Sequence, residues 1–232
     1  MKTALITGGT RGIGQAIAEN LSSDYQVITV GRSSSATESG DLQDQAFRNY
    51  LVDKYTPDVF INNAALLSKN VSTMMAMNGE IAVELLMKFY EKMPTGAIIN
   101  IGSISSEKPN LAKESMFRIA YATAKKYLKD TSLALSYSKN KPVKVMCLSP
   151  AATHTDMIVP LANGFVPPAE HYNNYNWESS ICWAKPYEVA AVVRWMLSQP
   201  EWITKRLFVS VSLIPQTAIF SDSKRLVPNG MS

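Results

Sequence analysis

A glycine-rich turn near the amino terminus constrains the fold more than any other feature of the sequence. The segment Thr7-Gly8-Gly9-Thr10-Arg11-Gly12-Ile13-Gly14 follows a short apolar run and precedes residues Ile13 to Leu21, which have apolar side chains at helical spacing. Glycine allows a tight turn, a close approach of phosphate to bare backbone and tight packing of a helix on a strand. The free N–H groups at the start of the helix attract phosphate. The turn therefore predicts a nucleotide-binding strand–turn–helix unit, and a plain tight turn is the alternative.

Short apolar runs alternate with longer helical patterns along the rest of the chain. Candidate strands begin near residues 26, 59, 97, 143 and 207, and helical patterns cover residues 42–54, 71–93, 115–139 and 186–197. Strands that are apolar on both faces and alternate with helices indicate a parallel sheet covered on both sides. We therefore predict an α/β fold with a doubly wound, Rossmann-like parallel sheet of about six to seven strands. A chain of 232 residues can form this as one domain, 1–232.

Composition excludes several classes of protein. The formal net charge is +4 without a Lys/Arg stripe, so no nucleic-acid partner is implied. Two cysteines and two histidines make a metal site improbable, and we expect none. No apolar run is long enough for a membrane span, and the amino terminus lacks the features of a signal peptide. The expectation is a cytoplasmic protein without a membrane partner.

Three Tyr-x-x-x-Lys pairs occur, Tyr50/Lys54, Tyr121/Lys125 and Tyr137/Lys141, and their positions distinguish them. The second pair lies in a helical pattern downstream of the predicted buried strand that ends before Gly102-Ser103. In an open α/β sheet, ligands bind beyond the carboxyl ends of the strands, where Ser103 and the glycine turn are predicted to lie. The Tyr137/Lys141 pair is interpreted as a solvated helix end. The first pair falls on the wrong side of the predicted fold for a site at Ser103.

The spacing Gly-x-x-x-Gly-x-Gly after Thr7, together with Ser103 and Tyr121-x-x-x-Lys125, resembles the short-chain dehydrogenase/reductase family in its single-domain form. The resemblance implies that Tyr121 is the acid/base and that Ser103 donates to the substrate oxygen. Lys125 would lower the pKa of the tyrosine, because a nearby ammonium favours the phenolate, and would bind the nicotinamide ribose. Asn78 would position a water that relays protons through Lys125. An incidental helix break is the alternative interpretation of Asn78.

The same resemblance implies a dinucleotide site. An acid at the end of the second strand is typical of NAD binding, whereas an arginine accommodates the 2′-phosphate of NADP, and this strand ends Gly31-Arg32-Ser33. Arg32 and Arg11 therefore favour NADP(H). The predicted cofactor contacts, besides Tyr121 and Lys125, are Gly8, Thr10, Arg11, Gly12, Ile13, Gly14, Arg32, Ser33, Asp41, Leu42, Asn63, Ala64, Ala65, Pro150, Ala152, Thr153 and Thr155.

Three departures from the family pattern carry further predictions. Asp41 follows Arg32 by only nine positions, so we expect the intervening helix to be lost and the third strand to be rudimentary. Tyr121 follows Ser103 by eighteen positions instead of about a dozen, and the extra residues, within 107–118, would border the substrate. The aromatic-rich segment 151–185 is predicted to be a lid that closes over substrate. His154 within it is interpreted as a bystander.

These features predict an NADPH-dependent oxidoreductase that reduces a ketone to an alcohol, or catalyses the reverse reaction, with Tyr121 as acid/base. The alternative is a non-enzymatic NADP-binding regulatory or scaffold protein on the same fold, which typically lacks one of the four catalytic residues. The implied partner is a small-molecule carbonyl or alcohol. The family resemblance also implies a homodimer or homotetramer.

Overall fold

Seven strands form one sheet in the computed structural model, which describes residues 1–106, 116–138, 140–151, 153–157, 184–200 and 208–211. The strands are β1 Lys2–Thr7, β2 Tyr25–Gly31, β3 Glu38–Ser39, β4 Val59–Asn62, β5 Gly96–Ile101, β6 Val143–Pro150 and β7 Phe208–Val211. Their order is β3-β2-β1-β4-β5-β6-β7, and each neighbouring pair is parallel. The predicted doubly wound parallel sheet is confirmed, and its order places the first crossover reversal between β1 and β4.

The helices are α1 Gly12–Leu21, α2 Gln45–Lys54, α3 Val71–Met75, α4 Ile81–Lys92, α5 Met116–Ser136 and α6 Pro186–Ser198. A π-helical turn, Ala76–Glu80, joins α3 to α4. The predicted start of α2 at Leu42 is wrong, because the Asp44 side chain accepts a hydrogen bond from the Ala46 N–H (2.8 Å) and caps the helix there. Leu42 lies in the core instead. No helix in the described part of the chain has the length and apolarity to cross a bilayer.

Both faces of the sheet are covered by helices, which explains why its central strands are largely apolar on both faces. Alternate residues of one strand enter different cores: Phe60 belongs to the cluster with α2, α4 and α5, whereas Val59 and Ile61 belong to the cluster with α1 and α6. Successive side chains of a strand point to opposite faces. A strand in this environment therefore needs apolar residues on both faces, as Val59, Phe60 and Ile61 of β4 provide.

The third strand is rudimentary, as the spacing from Arg32 to Asp41 predicts. It contains only Glu38 and Ser39, which pair with Val30 and Gly31 at the edge of the sheet. No helix occurs between Arg32 and Asp41. Residues 32–41 thus form a short connection, and the segment that normally carries a full crossover helix is replaced by a loop.

A chain of buried amide hydrogen bonds crosses the sheet into two helices. The Asn62 Nδ2 group donates to the Ala82 carbonyl of α4 (2.8 Å) and to Asn100 Oδ1 (2.9 Å). Asn100 Nδ2 donates to Ser132 Oγ (3.0 Å), and Ser132 donates to the Leu128 carbonyl in α5 (2.6 Å). Because buried polar groups are costly when unpaired, this chain fixes α4 and α5 relative to β4 and β5.

Lys141, the lysine of the third Tyr-x-x-x-Lys pair, binds the carboxyl end of α4. Lys141 Nζ donates to the Tyr90 carbonyl (3.2 Å) and to the Glu91 carbonyl, in the last turn of α4. A cation at a helix carboxyl terminus satisfies free carbonyls and complements the helix dipole. The interpretation of this pair as a solvated helix end is therefore wrong for Lys141, while Tyr137 is 69% exposed.

Candidate active site

The carboxyl edge of the sheet brings the predicted site segments together. Because neighbouring strands are parallel, the glycine turn after β1, Arg32 after β2, Asn63 after β4 and Ser103 after β5 all follow strands that end at the same edge. The segment after β6 ends there too, and a Cβ placed on Gly12 would lie 3.2 Å from the Thr155 methyl carbon. The glycine turn and the segment after β6 thus lie against each other at this edge, where ligands of open α/β sheets bind.

The glycine turn is held by β2 on one side and by the segment after β4 on the other. The Gly8 N–H donates to the Val30 carbonyl (2.7 Å), and Gly8 and Gly12 have φ values of 66° and 55°. Asn63 Nδ2 donates to the Thr7 and Gly8 carbonyls (2.9 and 3.2 Å). Positive φ values favour glycine, so the sequence of this turn follows from its shape.

Thr7 is a site residue that the sequence motif contains but to which we assigned no role. Its buried hydroxyl accepts hydrogen bonds from the Asn63 and Ala64 N–H groups (both 3.0 Å). These bonds tie the carboxyl end of β1 to the carboxyl end of β4. The signal was available in the sequence, because a polar residue ends an otherwise apolar strand, directly before the glycine turn.

Replacing Gly14 by alanine is expected to lower the free energy of unfolding by about 1–3 kcal/mol, the usual range for overpacking. A Cβ at this position would overlap the Gly8 carbonyl oxygen and lie 2.5 Å from Asn63 Nδ2. Thermal unfolding measures the change. Gly79→Ala is the matched control, because its Cβ would lie 3.4 Å from the Ala124 Cβ, which is ordinary contact. Equal stability of the two variants would contradict the tight packing of the turn.

The residues predicted to bind the adenosine end lie around the end of β2. Arg11 and Arg32 are exposed, as is Ser33, and Thr10 lies beside Gly31, where an added Cβ would come 3.2 Å from Thr10 Oγ1. These side chains therefore belong to one surface at the mouth of the glycine turn, where an anion can reach them. The Asp41 side chain is partly exposed, and its Oδ1 accepts a hydrogen bond from the Gln43 N–H (2.9 Å).

Ser103 and Tyr121 meet directly beyond β5. Ser103 directly precedes the short 3₁₀ turn Ile104–Ser106, and its Oγ accepts a hydrogen bond from the Ser105 N–H (3.2 Å). The tyrosine lies in the second turn of α5, on the same helix face as Lys125. Burial raises the pKa of Tyr121 to about 12, and a hydrogen bond with the Ser103 side chain acts in the opposite direction. The predicted serine–tyrosine pair is thus brought into contact.

The pKa of Tyr121 differs from the expectation that a lysine lowers it. Burial penalises the phenolate, and this effect dominates. The Lys125 ammonium is directed elsewhere, since its Nζ donates to the Ile101 carbonyl (2.7 Å). Lys125 is itself 2% exposed, and burial lowers its pKa to about 8, opposed by the nearby Cys147. The environment of Tyr121 thus raises its pKa above that of a free tyrosine, which is itself protonated at neutral pH.

Asn78 lies at the centre of the π-helical turn before α4, fully buried. Its Nδ2 donates to the Leu66 and Met74 carbonyls (2.6 and 2.9 Å), and its Oδ1 accepts from the Leu66 N–H (2.9 Å). The side chain therefore fastens the segment after β4 to this turn. Asn78 is followed by Gly79, a pair that is locally unfavourable in an α-helix. Here the pair forms the centre of a π-helical turn, and such turns occur frequently at functional sites. Its role as a proton relay stays a prediction.

The segment after β6 runs along the opposite border of the site. Pro150 ends β6, and Thr153, which is buried, forms a bridge with Ala184. The Thr155 side chain faces Gly12, as described above, and the His154 N–H donates to the Ala184 carbonyl (2.8 Å). The predicted contact at Ala152, most of the predicted lid and residues 107–115 of the proposed substrate border lie outside the described residues.

Within the described residues, no group of three or more His, Cys, Asp or Glu side chains could hold a metal ion. Polar groups converge instead on the glycine turn and on Ser103, Tyr121 and Lys125. Two predicted contacts, Ala64 and Ala65, follow Asn63 directly and are partly buried there. A Cβ on Gly8 would come 3.0 Å from the Ala64 Cα, so the glycine turn and this segment form a continuous wall.

Comparisons with known proteins agree with this geometry. Carbonyl reductase family member 4 of Xenopus tropicalis is 25% identical to this chain, with 90% of the chain and 95% of the relative covered. The 3-oxoacyl-(acyl-carrier-protein) reductase FabG of Chlamydia trachomatis is 28% identical, with 67% of the chain and 75% of the relative covered.

Two solved structures show the same fold. A short chain dehydrogenase from Burkholderia cenocepacia in complex with NADP has a TM-score of 0.68 at 20% identity, covering 90% of this chain and 94% of that one. A 3-alpha-hydroxysteroid dehydrogenase from Pseudomonas sp. complexed with NADH has a TM-score of 0.71 at 20% identity, covering 90% and 95%. The sequence model of the short chain dehydrogenases matches residues 40–164, more than half of the chain. The fold, the site and this match together establish that the chain belongs to the short chain dehydrogenase family.

Proposed function

We propose that this protein is an NADPH-dependent oxidoreductase that reduces a carbonyl group, such as a ketone, to an alcohol. The observation that carries the proposal is the convergence of Ser103, Tyr121 and Lys125 at the carboxyl end of β5, on the sheet edge that also bears the glycine turn. Two relatives support it, since one is named a carbonyl reductase and the other a 3-oxoacyl reductase. The reverse reaction uses the same residues.

The glycine turn fits the pyrophosphate of a dinucleotide. Gly8 and Gly12 have positive φ values, and a Cβ on Gly12 would point toward the Thr155 methyl group. Bare backbone there leaves room for phosphate oxygens, and α1 begins at Gly12 with free N–H groups directed at them. Arg11 and Arg32 can hold a 2′-phosphate, because a guanidinium forms paired hydrogen bonds with phosphate oxygens. When bound, the reduced nicotinamide would supply the hydride.

The protein's own residues would supply the proton and hold the substrate. Tyr121 remains protonated at neutral pH, because burial raises its pKa to about 12, and so can donate a proton to the carbonyl oxygen. The Ser103 hydroxyl, which contacts Tyr121, donates a second hydrogen bond to that oxygen and orients it. Lys125, whose Nζ donates to the Ile101 carbonyl, would bind the nicotinamide ribose from the same helix face. Oxidation of the alcohol would return this proton to the Tyr121 phenolate, so the same pair of groups serves both directions.

Incubation of the purified protein with a panel of ketones, aldehydes and 3-oxo esters, followed by NADPH absorbance, tests the proposal. We expect NADPH consumption with at least one carbonyl substrate and slower consumption with NADH. Binding of NADPH without turnover of any substrate would favour the regulatory or scaffold alternative. Absence of binding to either nucleotide would contradict the proposal. A homodimer or homotetramer and a cytoplasmic location stay predictions.

Replacing Arg32 by alanine is expected to weaken NADPH binding by about 10–100-fold and to leave NADH binding nearly unchanged. Hydrogen bonds to charged groups contribute about 1.5–3 kcal/mol, and a factor of ten corresponds to about 1.4 kcal/mol. Isothermal titration with both nucleotides measures the difference. Lys126→Ala, which removes an exposed cation of α5, is the control. Tighter binding of NADH than NADPH by the wild-type protein would refute the roles of Arg11 and Arg32.

A further inference from the structure

The first Tyr-x-x-x-Lys pair, which the proposed chemistry does not use, surrounds a single carboxylate. Lys54 Nζ donates to Glu38 Oε1 (2.8 Å), Tyr50 Oη donates to Glu38 Oε2 (3.1 Å), and Tyr55 Oη also donates to Glu38 Oε1. Lys54 Nζ further contacts Tyr50 Oη at 2.6 Å. The Glu38 side chain is 12% exposed, and its pKa is lowered, chiefly by the hydrogen bond from Lys54. We call Glu38, Tyr50, Lys54 and Tyr55 the Glu38 cluster.

The Glu38 cluster holds the weakest edge of the sheet. Glu38 is the first residue of β3, which pairs with β2 at two positions only. The other members belong to α2 or to its carboxyl cap. An edge strand this short has few backbone hydrogen bonds of its own. The adjacent Thr37 donates its N–H to Thr29 Oγ1 (3.0 Å), and its Oγ1 accepts from the Thr29 N–H (3.2 Å). The cluster therefore fastens β3 to α2 in place of the missing crossover helix.

The loop that β3 belongs to carries both halves of the proposed adenosine site. It begins with Arg32 and Ser33, which would bind the 2′-phosphate, and it ends at Asp41 and Leu42, which would bind adenine. Asp41 lies three positions after Glu38. Leu42 is already fixed, because its side chain is buried and its carbonyl accepts a hydrogen bond from Arg48 Nη1 (2.8 Å). The stretch between the two halves has no helix, and Glu38 is its main side-chain anchor to α2.

We propose that Glu38, held by Tyr50, Lys54 and Tyr55, is a positioning residue that keeps the adenosine-binding loop 32–42 in its cofactor-binding conformation. This inference rests on the proposed function, because it concerns how the chain binds NADP(H). When a loop must be ordered for binding, the apparent dissociation constant is the intrinsic one divided by the fraction of time that the loop spends in the binding conformation. Interactions that order it beforehand raise affinity without touching the ligand. Glu38 therefore affects cofactor affinity and not the chemical step.

Isothermal titration of Glu38→Ala and Glu38→Gln with NADPH and with adenosine 2′,5′-bisphosphate tests the proposal. We expect the dissociation constants of both ligands to rise by the same factor, because both require the ordered loop. The factor should be about 5–10-fold for Glu38→Ala and smaller for Glu38→Gln. The kcat at saturating NADPH and the KM of the carbonyl substrate should stay within twofold of wild type. This division between cofactor affinity and kcat is a result that general destabilisation does not produce.

The matched control is Asp24→Asn, which removes the ion pair between Asp24 and Arg194 on the face of the molecule formed by α1 and α6. It should leave both dissociation constants unchanged. If Glu38→Ala does not fold, two milder variants replace it: Lys54→Met removes two bonds of the cluster and Tyr55→Phe removes one. Both should raise both dissociation constants by about two- to threefold, because the remaining bonds still order part of the loop population.

Two results would overturn the inference in distinguishable ways. Wild-type affinity of Glu38→Ala for both ligands, or a fall in kcat at saturating NADPH, would overturn the positioning role alone. A wild-type protein that binds neither NADPH nor adenosine 2′,5′-bisphosphate would overturn the proposed function, and the positioning role with it.

Discussion

Replacement of Tyr121 by phenylalanine is expected to lower kcat/KM for carbonyl reduction by about 10²–10⁴-fold, the usual contribution of a positioned general acid. Phenylalanine keeps the ring but removes the hydroxyl that contacts Ser103 and would donate the proton. The aromatic ring stays partly buried in the second turn of α5, so the fold should persist. The NADPH dissociation constant should stay within a fewfold of the wild-type value. Steady-state kinetics together with NADPH titration measure both quantities.

Tyr137→Phe is the matched control for this experiment. Tyr137 has a lysine four positions later, as Tyr121 does, but it is 69% exposed and lies just beyond the carboxyl end of α5. Its replacement should leave turnover unchanged. Wild-type turnover in Tyr121→Phe would show that another group is the proton donor, and the assignment of Tyr121 would then have to be abandoned.

Replacement of Lys125 by methionine should reduce turnover by about 10²-fold or more and at the same time stabilise the protein. Burial lowers the pKa of Lys125 to about 8, so the fold is penalised for holding the ammonium. One pKa unit corresponds to about 1.36 kcal/mol. After allowance for the lost hydrogen bond to the Ile101 carbonyl, we expect a gain of about 1–2 kcal/mol at pH 7. For a chain of this length this raises Tm by about 2–8 °C.

The sign of this effect predicts its pH dependence. Below pH 8 Lys125 is charged in both the folded and the unfolded protein, so the whole penalty is present. Between pH 8 and the ordinary lysine pKa the unfolded chain binds more protons, and the wild-type free energy of unfolding rises with pH relative to the variant. The stability difference between Lys125→Met and wild type should therefore narrow as pH rises from 7 to 10. Thermal unfolding of both proteins across this range measures it.

Lys126→Met is the control for the stability gain. Lys126 is exposed and pairs with Asp130 one turn along the same helix, so its replacement should change stability by less than about 0.5 kcal/mol. A Lys125→Met variant that is less stable than wild type at pH 7 would contradict the burial penalty. Stabilisation by removal of a site residue is expected where a functional group is held in an unfavourable environment.

Particular segments show how much of this molecule can be predicted from its sequence. The continuous apolar run of β4 predicts a strand buried on both faces, and the short spacing from Arg32 to Asp41 predicts a rudimentary third strand; both are found. The motifs predict which strand ends carry site residues, because a parallel sheet places every carboxyl end at one edge. The meeting of Ser103 with Tyr121 follows from that rule and from the position of α5.

Features that depend on contacts between distant segments could not be predicted. Lys141 caps α4 although 49 positions separate it from Lys92, the last residue of that helix. Glu38 accepts hydrogen bonds from three side chains of α2 and its carboxyl cap. Neither pairing has a local pattern in the sequence. The pKa of Tyr121 was expected to be lowered and is raised, because burial of the phenol outweighs an ammonium that is directed to a backbone carbonyl.

The buried amide chain from Asn62 through Asn100 to Ser132 has a consequence for how this enzyme family can diversify. Any sliding of α5 along β5 would leave an amide unpaired in the core, at a cost of about 1–3 kcal/mol. Insertions between Ser103 and Tyr121 therefore cannot shift the helix that carries the tyrosine and the lysine. Selection, or a protein engineer, can therefore lengthen and rewrite that segment while Tyr121 and Lys125 keep their positions against β5.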